Sequence, residues 1–383
     1  MPTHIVVVGA GVSGLTSALL LSRSKSNIIT VIAKDMPGDY NAEYASPWAG
    51  ANVLPMASEK NSLFERRTFP ELQRLAREVP EAGIHFQGTF LLQKHFSRRK
   101  NMIFDSQSPT DVCIYRRQSE IDKIKAGTFR SDGLFLPNPW YQSMVDNFRE
   151  LNIGELPKGA VSGCTFTSVQ INPMIYLPWL IGQCKSNGVV IKRGVIDHIM
   201  EAAALSHSGA KADIIVNSTG LRSCKLGGVM DQNVIPARGQ VVVLRNEINH
   251  MMSISGTDDG NSELCYMMTR ADGGGTIVGG SYEPGNWNPE PDPNQSVRIM
   301  SRIVELVPEL SKGNGVRGLD IARHAVGFRP FRHGGVRIEK EKIDGVWVVH
   351  HYGHGGWGYQ ASYGTAERVV ELVNEIRGHH PKL

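Results

Sequence analysis

A glycine-rich segment near the N-terminus has the residue types and the spacing of a phosphate-binding turn. Residues 9–14 read Gly-Ala-Gly-Val-Ser-Gly, which fits the pattern G-x-G-x-x-G. Gly9 permits a tight turn, Gly11 lets a pyrophosphate approach the backbone, and Gly14 lets the following helix pack against the preceding strand. Because a helix N-terminus offers N–H groups and a positive dipole to phosphates, this segment predicts a bound dinucleotide.

The residues after the second predicted strand leave the identity of the dinucleotide open. An acidic residue about 20 positions beyond the glycines commonly binds the ribose hydroxyls of such a cofactor, and Asp35 stands near that position. The neighbouring Lys34 would instead suit the additional ribose phosphate of NADP. Both FAD and NADP are compatible with these two residues.

A second segment of small residues suits a flat ring system, because its backbone amides can approach a planar ligand. Residues 45–52 read Ala-Ser-Pro-Trp-Ala-Gly-Ala-Asn. Here the chain resembles the D-amino-acid oxidase family in its fungal form. Further segments carry the resemblance in order along nearly the whole chain, namely Asn217-Ser218-Thr219-Gly220, Arg238-Gly239-Gln240, Gly279-Gly280-Ser281-Tyr282, Gly327-Phe328-Arg329-Pro330 and His351–Gln360.

The resemblance implies bound FAD, with its pyrophosphate on residues 9–14 and its flavin along residues 45–52 and beneath residues 355–358. One position departs from the family pattern, since yeast members have a serine where Gly356 stands, so backbone would replace a side-chain contact to the substrate amine. The full set of cofactor-binding residues that we expect is Gly9, Ala10, Gly11, Val12, Ser13, Gly14, Lys34, Asp35, Ala45, Ser46, Gly50, Asn52, Gly220, Gly353, Gly355, Gly356, Trp357, Gly358, Tyr359 and Gln360.

Four residues are implied at the substrate by the same resemblance. Arg329 corresponds to an arginine that binds the substrate carboxylate, Tyr266 and Tyr282 to tyrosines that orient the substrate, and Gln360 to a residue near the catalytic face. These roles agree with the chemistry of the side chains, because a guanidinium binds a carboxylate through two hydrogen bonds. The histidines at 351 and 354 are expected to be structural or next to the flavin.

The implied reaction converts a D-amino acid, water and O₂ to a 2-oxo acid, ammonia and hydrogen peroxide. If a neutral amine loses hydride directly to the flavin, the protein needs to supply orientation and no acid or base. Neutral D-amino acids are the expected substrates. A D-aspartate oxidase would need a further cation, for which Arg270 and His333 are the candidates. A glycine or sarcosine oxidase is also compatible with the sequence, as is an NADP-binding sensor without turnover.

The predicted elements alternate as in an α/β protein. Apolar runs predict strands at residues 4–8, 28–33, 189–191, 213–217, 241–244, 263–268, 274–281 and 346–349, with isolated strands at 90–92 and 112–115. Helical spacing predicts helices at residues 15–22, 63–79, 175–186, 297–307 and 361–376.

This order predicts a Rossmann-like FAD-binding domain with a second, β-rich domain built on an antiparallel sheet. The FAD-binding domain is expected at residues 1–58, 161–222 and 323–383, and the substrate-binding domain at residues 59–160 and 223–322. The second domain should cover the carboxyl ends of the parallel strands, where open α/β sheets bind ligands.

Composition excludes several other classes of protein. The 383 residues carry a net charge of +4, which is too balanced to indicate nucleic-acid binding. No apolar run is long enough to predict a membrane span. The five cysteines are scattered without a C-x-x-C pair, so neither a disulfide framework nor a metal site is expected. A homodimer is left open.

The C-terminal residues suggest a cellular address. Pro381-Lys382-Leu383 resembles the Ser-Lys-Leu signal that the peroxisomal import receptor reads. A peroxide-producing activity would suit that compartment. The sequence therefore predicts a protein of the peroxisomal matrix.

Overall fold

The computed structural model describes residues 2–87, 111–118, 135, 138–248, 250–260, 262–270 and 272–378. The strands along these residues are β1 (Thr3–Val8), β2 (Asn27–Ala33), β3 (Ile84–Phe86), β4 (Asp111–Arg116), β5 (Asp146–Glu150), β6 (Ser162–Thr167), β7 (Val169–Ile171), β8 (Val190–Arg193), β9 (Ile214–Asn217), β10 (Val234–Leu244), β11 (Met251–Ile254), β12 (Glu263–Thr269), β13 (Thr276–Ser281), β14 (Glu283–Pro284), β15 (Ile321–Arg332), β16 (Arg337–Ile343) and β17 (Val346–Tyr352). The α-helices are α1 (Val12–Ser22), α2 (Leu63–Glu78), α3 (Pro173–Ser186), α4 (Pro293–Leu306) and α5 (Ser362–Ile376).

The first sheet has six strands in the order β16-β17-β9-β1-β2-β8. Its strands are parallel except for the antiparallel pair β16 and β17. The chain leaves β1 toward β2 on one side and reaches β9 on the other, so the carboxyl ends of β1 and β9 flank the point where the strand order reverses. In doubly wound sheets this point is where a dinucleotide binds.

Both faces of β1 are buried, which explains its continuous apolar run. Ile5 and Val7 face the side covered by α1, α3 and α5. Val6 and Val8 face the opposite side, which is packed against a short 3₁₀ segment at Ile199–Ala204. Of the residues of α1 only Ser13 is not buried, because the helix lies between the sheet and two other helices.

The second sheet has nine strands, and its long pair β10 and β15 is antiparallel. Alternate residues of β10 serve opposite faces. Val242 packs with Ile299 and Ile303 of α4, which covers one face of the sheet. Val241 and Val243 lie on the other face, which is turned toward the carboxyl edge of the first sheet.

The predicted fold class is confirmed: a Rossmann-like sheet carries a second, largely antiparallel sheet. Two predicted boundaries are wrong by one strand each. The strands β6 and β15 belong to the second sheet, although the boundaries at 161 and 323 assigned both to the FAD-binding domain. The reason at β15 is that its residues 327–330, which line the cofactor cavity, reach it from the second sheet.

Most other predicted elements are close to those observed, although β10 begins at Val234, seven residues before the strand expected at 241–244. The strand expected at 112–115 is not isolated, because β4 pairs with both β6 and β11. The strand expected at 90–92 and the C-terminal tripeptide at 381–383 lie outside the described residues. No helix within the described ranges combines the length and the apolar character that a membrane crossing requires.

Candidate active site

A cavity of about 1100 Å³ lies between the carboxyl edge of the first sheet and the second sheet. Nearly all the predicted site residues line it, the exceptions being Gly14 and Gly353. Three parts of the cavity can be distinguished. We call residues 9–14 and 218–220 the nucleotide end, residues 45–52 and 354–360 the flavin wall, and Tyr266, Tyr282 and Arg329 the substrate end.

The nucleotide end is built from backbone. Gly9 has a φ of +114°, which suits glycine and lets the chain turn out of β1. Gly11 stands at the N-cap of α1 without a side-chain cap, and Val12 N donates to Ser46 Oγ, so a phosphate would be held by the other N–H groups of the first turn. Gly14 lies outside the cavity lining, and a Cβ there would clash with the carbonyl of Gly9. Its role is therefore the close helix–strand contact that the sequence predicts.

Next to the nucleotide end lie the two residues, Lys34 and Asp35, that are compatible with both FAD and NADP. Lys34 and Asp35 follow β2 and both line the cavity. Ser218 continues from β9, and its N–H donates to Val8 O at 2.8 Å. Gly220 also lines the cavity, so the segments after β1, β2 and β9 meet around one space.

The flavin wall is fixed by contacts between distant segments. The hydroxyl of Ser46 accepts from Val12 N at 3.0 Å, and Tyr359 donates to Ser46 O at 2.9 Å. Arg270, which is 2% exposed, donates to Pro47 O at 3.3 Å and to Ala49 O at 2.5 Å. These bonds hold residues 45–49 as a rigid surface.

Buried polar atoms of this wall have no partner among the described residues. Both amide atoms of Asn52 are unsatisfied although the side chain is 6% exposed. The Nε2 atoms of His351 and His354 are likewise unsatisfied, and both histidines line the cavity. Orphaned polar atoms beside a flat apolar space fit a ring system with a polar edge, so the residues present fit a flavin.

The two cavity histidines are neutral at physiological pH. Burial lowers the pKa of His354 to about 4 and that of His351 well below its ordinary value. The Nδ1 atom of His351 lies 3.0 Å from Ser17 Oγ. Neutral, hydrogen-bonded rings suit the structural or flavin-adjacent role expected from the sequence.

The segment around residues 353–360 closes one side of the cavity. Gly353 does not line the cavity, so its contact with the cofactor stays a prediction. Its backbone has a φ of +91°. A Cβ at this position would lie 2.8 Å from Arg332 Cβ, so a side chain would not fit. Gly356 does line the cavity, and a Cβ there would lie 3.5 Å from Arg329 Cδ. A serine at 356, as in yeast members, would therefore contact Arg329.

The substrate end is built from side chains on three strands or their ends. Arg329 on β15 donates to Ser281 O at 3.1 Å and, more weakly, to Tyr266 Oη at 3.5 Å. Its guanidinium carbon lies 5.7 Å from the centroid of the Tyr282 ring. No carboxylate of the described residues lies within 4 Å of this guanidinium, in contrast to Arg238, which pairs with Glu283. Arg329 is thus a half-buried cation that is free to bind an anionic ligand.

Two glycines of the second sheet make room for these side chains. A Cβ at Gly239 would lie 2.7 Å from the guanidinium carbon of Arg329, and one at Gly279 would lie 2.6 Å from Tyr266 Cε2. The glycines in the motifs at residues 238–240 and 279–282 are therefore explained by the close approach of the Arg329 and Tyr266 side chains to the backbone. Sequence reasoning recognised the glycines without knowing which side chains they admit.

The structure bears on three positions that sequence reasoning left open or did not single out. Arg270 and His333, considered as ligands for a second carboxylate, do not line the cavity. Glu65 was not singled out, yet it is 2% exposed and accepts from Gln360 Nε2 at 2.6 Å. The signal was present in the helical spacing, because Glu65 shares the buried face of α2 with Phe69 and Leu72.

A cavity of about 1100 Å³ at the switch point of a Rossmann-like sheet, covered by a second sheet and lined by polar atoms that fit a flavin, is the arrangement expected of a flavin-dependent oxidoreductase. The chain belongs to the FAD dependent oxidoreductase (DAO) family, whose sequence model matches residues 4–372. This match decides in favour of FAD the choice that Lys34 and Asp35 left open.

Individual relatives agree with the family. The chain is 55% identical to a D-amino-acid oxidase from Fusarium vanettenii, over 98% of each chain. It is 35% identical to a D-amino-acid oxidase from Schizosaccharomyces pombe, over 97% of this chain and 96% of that one. Its fold is similar to the crystal structure of glycine oxidase from Geobacillus kaustophilus, with a TM-score of 0.69 at 17% identity, over 97% and 95% of the two chains.

Proposed function

We propose that this chain is a D-amino-acid oxidase, which uses FAD and O₂ to convert D-amino acids to 2-oxo acids, ammonia and hydrogen peroxide. The observation that carries the proposal is the Arg329 guanidinium, which faces the cofactor cavity without a carboxylate partner among the described residues. A partly buried cation in this position favours an anionic ligand. The carboxylate of an amino acid supplies that ligand.

The chain's own residues hold the cofactor and orient the substrate. N–H groups at the start of α1 would hold the pyrophosphate, while Asn52 and the segment at residues 355–360 would hold the flavin. When bound, FAD takes up the two electrons of the amine oxidation and delivers them to O₂. The site lies between the two sheets, which position the residues that hold the cofactor and the substrate.

At the substrate end, Arg329 binds the carboxylate and thereby fixes which atoms of the substrate face the flavin wall. Tyr266 lies within 3.5 Å of the guanidinium, so its hydroxyl is placed to add a hydrogen bond to the same carboxylate. The Tyr282 ring lies 5.7 Å from the guanidinium carbon, and its hydroxyl orients the amine. Orientation of this kind lowers the entropic part of the barrier and asks no proton transfer of these tyrosines.

A panel of amino acids tests the proposal directly. The purified protein should be yellow, and D-alanine should bleach the flavin band under anaerobic conditions and release peroxide in air. L-alanine, glycine and sarcosine serve as comparison substrates. A colourless protein that binds NADP, or a flavoprotein reduced only by L-amino acids or by glycine, would contradict the proposal.

Neutral D-amino acids are the preferred substrates in this proposal. Arg270 points its guanidinium at backbone carbonyls of the flavin wall, and His333 lies outside the cavity lining. A second carboxylate near Arg329 would then be desolvated without a cation, which is costly. Comparison of kcat/KM for D-alanine and D-aspartate tests this preference, and a higher value for D-aspartate would reject it.

We also propose that the protein is imported into peroxisomes through its C-terminal tripeptide, Pro381-Lys382-Leu383. The support is the likeness of this tripeptide to the import signal together with a peroxide-producing reaction. A fluorescent fusion at the N-terminus should be peroxisomal, and removal of residues 381–383 should leave it in the cytosol. Unchanged import of the truncated chain would exclude this address.

A further inference from the structure

A buried carboxylate without a cation lies beside the flavin wall. Glu65 is 2% exposed, and no Lys, Arg or His of the described residues lies within 4 Å of its oxygens. Taking an unpaired carboxylate out of water is unfavourable unless hydrogen bonds replace the lost hydration. Three donors do so here: Met56 N at 3.1 Å, Ala57 N at 3.3 Å and Gln360 Nε2 at 2.6 Å.

These donors belong to two segments of the cavity lining. Leu54, Met56 and Ala57 come from the loop before α2, whereas Gln360 comes from the turn that precedes α5. Leu54 N donates to Gln360 Oε1 at 3.4 Å. Glu65 therefore joins two parts of the wall that are about 300 positions apart in the sequence.

The chemistry of the carboxylate determines which way the Gln360 amide points. An ionised carboxylate only accepts hydrogen bonds, so it requires the NH₂ group of Gln360 on its side. The amide oxygen then meets Leu54 N, and the second N–H of Gln360 is left for the cavity. A protonated Glu65 could donate instead, and the amide could turn over without losing its bond to Glu65.

We propose that ionised Glu65 is a positioning residue for the oxidation, which acts by fixing the orientation of the Gln360 amide in the cavity wall. This rests on the proposed function, since Gln360 matters only if substrate is oxidised in this cavity. The carboxylate does not line the cavity. It acts through one glutamine.

Charged groups of the neighbouring elements are engaged elsewhere. On α2 itself, Arg66 lies 4.6 Å from the centroid of an aromatic ring, and Arg67 pairs with Glu371 of α5 at 3.0 Å. Tyr363 at the start of α5 accepts from another tyrosine at 3.2 Å. The titration of Glu65 is accordingly governed by its own burial and by its three donors.

Burial raises the pKa of Glu65 to about 7, against the opposing effect of the bond from Gln360 and the two backbone bonds. Glu65 should therefore be ionised above about pH 7 and protonated below it. The orienting effect is present in the alkaline range and is lost as the pH falls. A glutamine at position 65 reproduces the protonated form, because its own NH₂ can donate to Gln360.

The test is the rate of anaerobic flavin reduction by saturating D-alanine, measured from about pH 5 to about pH 9 in Glu65→Gln and in the unaltered enzyme. Taking the ratio of the two rates cancels the titration of the substrate amine. We expect a ratio near one at low pH that falls by between about fivefold and about 100-fold at high pH, as for one misplaced buried hydrogen bond. The midpoint of this fall should lie at about pH 7.

Two further variants connect the effect to Gln360. In a Gln360→Met background, Glu65→Gln should have no further effect at any pH, since neighbours that act as one unit are not additive. Glu59→Gln is the matched control, because Glu59 precedes the same helix and is exposed. It should leave the rate ratio at one throughout.

A pH-independent ratio in Glu65→Gln, or an undiminished effect in the Gln360→Met background, would overturn the proposal. If Glu65→Gln does not yield a folded, FAD-containing protein, Gln360→Met alone decides, since its rate ratio should show the same midpoint and a flat ratio excludes the idea. Failure of the proposed function is separate, because the unaltered enzyme would then not be reduced by D-alanine at any pH.

Discussion

The nucleotide end and the substrate end of the cavity are specified in opposite ways. At the nucleotide end the requirement is for missing side chains: a Cβ at Gly14 would meet the backbone carbonyl of Gly9. At the substrate end the requirement is for side chains in place, since Arg329 and Tyr266 stand on different strands of the second sheet. The glycine segment of the first end is continuous in sequence, whereas the second end is assembled from residues that are 63 positions apart.

The difference indicates which function each kind of change should damage. A backbone-built site loses its ligand when an atom is added, because a carbonyl group cannot move aside. A side-chain-built site keeps its shape when one group is removed, but loses the interaction that this group makes. Cofactor binding and substrate binding should therefore be separable by mutation.

The largest effect is expected from Arg329→Ala. Losing one partner of a buried, charge-assisted contact costs on the order of 2–5 kcal/mol, so kcat/KM for D-alanine should fall roughly 30-fold to several thousandfold. Arg329→Lys should recover only part of this, because an ammonium cannot form the planar pair of bonds. Steady-state kinetics, together with the FAD content of the purified variants, measures both effects.

Arg238→Ala is the matched control for that prediction. Arg238 lies on the paired strand and is 3% exposed, but it is saturated by Glu283, Gln240 and backbone carbonyls. Its loss should lower the stability of the protein. The comparison between the two ends would fail if Arg329→Ala released FAD while leaving KM unchanged.

The next effect is on the pH dependence of the protein's stability, and it is expected from Glu65→Gln. Glu65 links the flavin wall to α2. The pKa of Glu65 is raised from 4.5 to about 7, so the folded state binds this proton more tightly than the unfolded state does. Stability is therefore lost as the pH rises through this range and stays reduced above it. Glu65→Gln removes this loss, which corresponds to on the order of 3 kcal/mol.

Urea unfolding with a fixed excess of FAD measures that effect. Between about pH 4.5 and about pH 8, the stability of Glu65→Gln relative to the unaltered protein should rise by that amount. A constant difference across this pH range would show that Glu65 titrates with an ordinary pKa. A gain in stability joined to a loss of rate at high pH would fit a buried charge that is kept for positioning.

A smaller loss of stability, with loss of cofactor, is expected from Gly14→Ala. The added Cβ would meet the carbonyl of Gly9, and overpacking of this kind typically costs about 1–3 kcal/mol. Because α1 must move to relieve the clash, the phosphate-binding N–H groups move as well. FAD affinity, measured by flavin fluorescence on dilution, should fall, while the variant saturated with FAD should retain a nearly normal KM for D-alanine.

Gly38→Ala is the matched control, because no atom lies within 4 Å of a Cβ at that position. Because Gly38 has a φ of +104°, any loss of stability or of FAD affinity in Gly38→Ala would come from backbone strain and not from a steric clash. If both variants bound FAD equally well, close approach at Gly14 would not be what the nucleotide end requires.

The smallest effects are expected from Tyr266→Phe and Tyr282→Phe. Tyr282→Phe removes one neutral hydrogen bond, worth about 0.5–1.5 kcal/mol net, and Tyr266→Phe removes one to a charged group, worth about 1.5–3 kcal/mol. Flavin reduction should therefore slow by about tenfold at most in Tyr282→Phe and by about 100-fold at most in Tyr266→Phe. A loss on the order of 10⁴-fold in the anaerobic reduction rate of Tyr282→Phe, with substrate binding intact, would identify a general base in place of an orienting group.

The sequence alone determined the parts of this protein whose chemistry is continuous along the chain. The glycines at 9–14 specify a strand, a turn and a helix N-terminus within a few residues, and both flanking elements are observed as predicted. The helical spacing of apolar residues located the ends of α2, α3 and α5 to within a few residues. Such features depend on local sterics and hydrogen bonding, which neighbouring residues fully define.

Only the tertiary structure decided how the distant parts meet. It placed β15 in the second sheet, directed Arg270 at the carbonyls of the flavin wall, and brought Glu65 to Gln360. None of these contacts has a signature in local sequence, because strand partners and burial are set by packing over the whole chain. A glutamate on an amphipathic helix is ordinarily solvated, and only the loop and helix packed over Glu65 remove its water and bring it to Gln360.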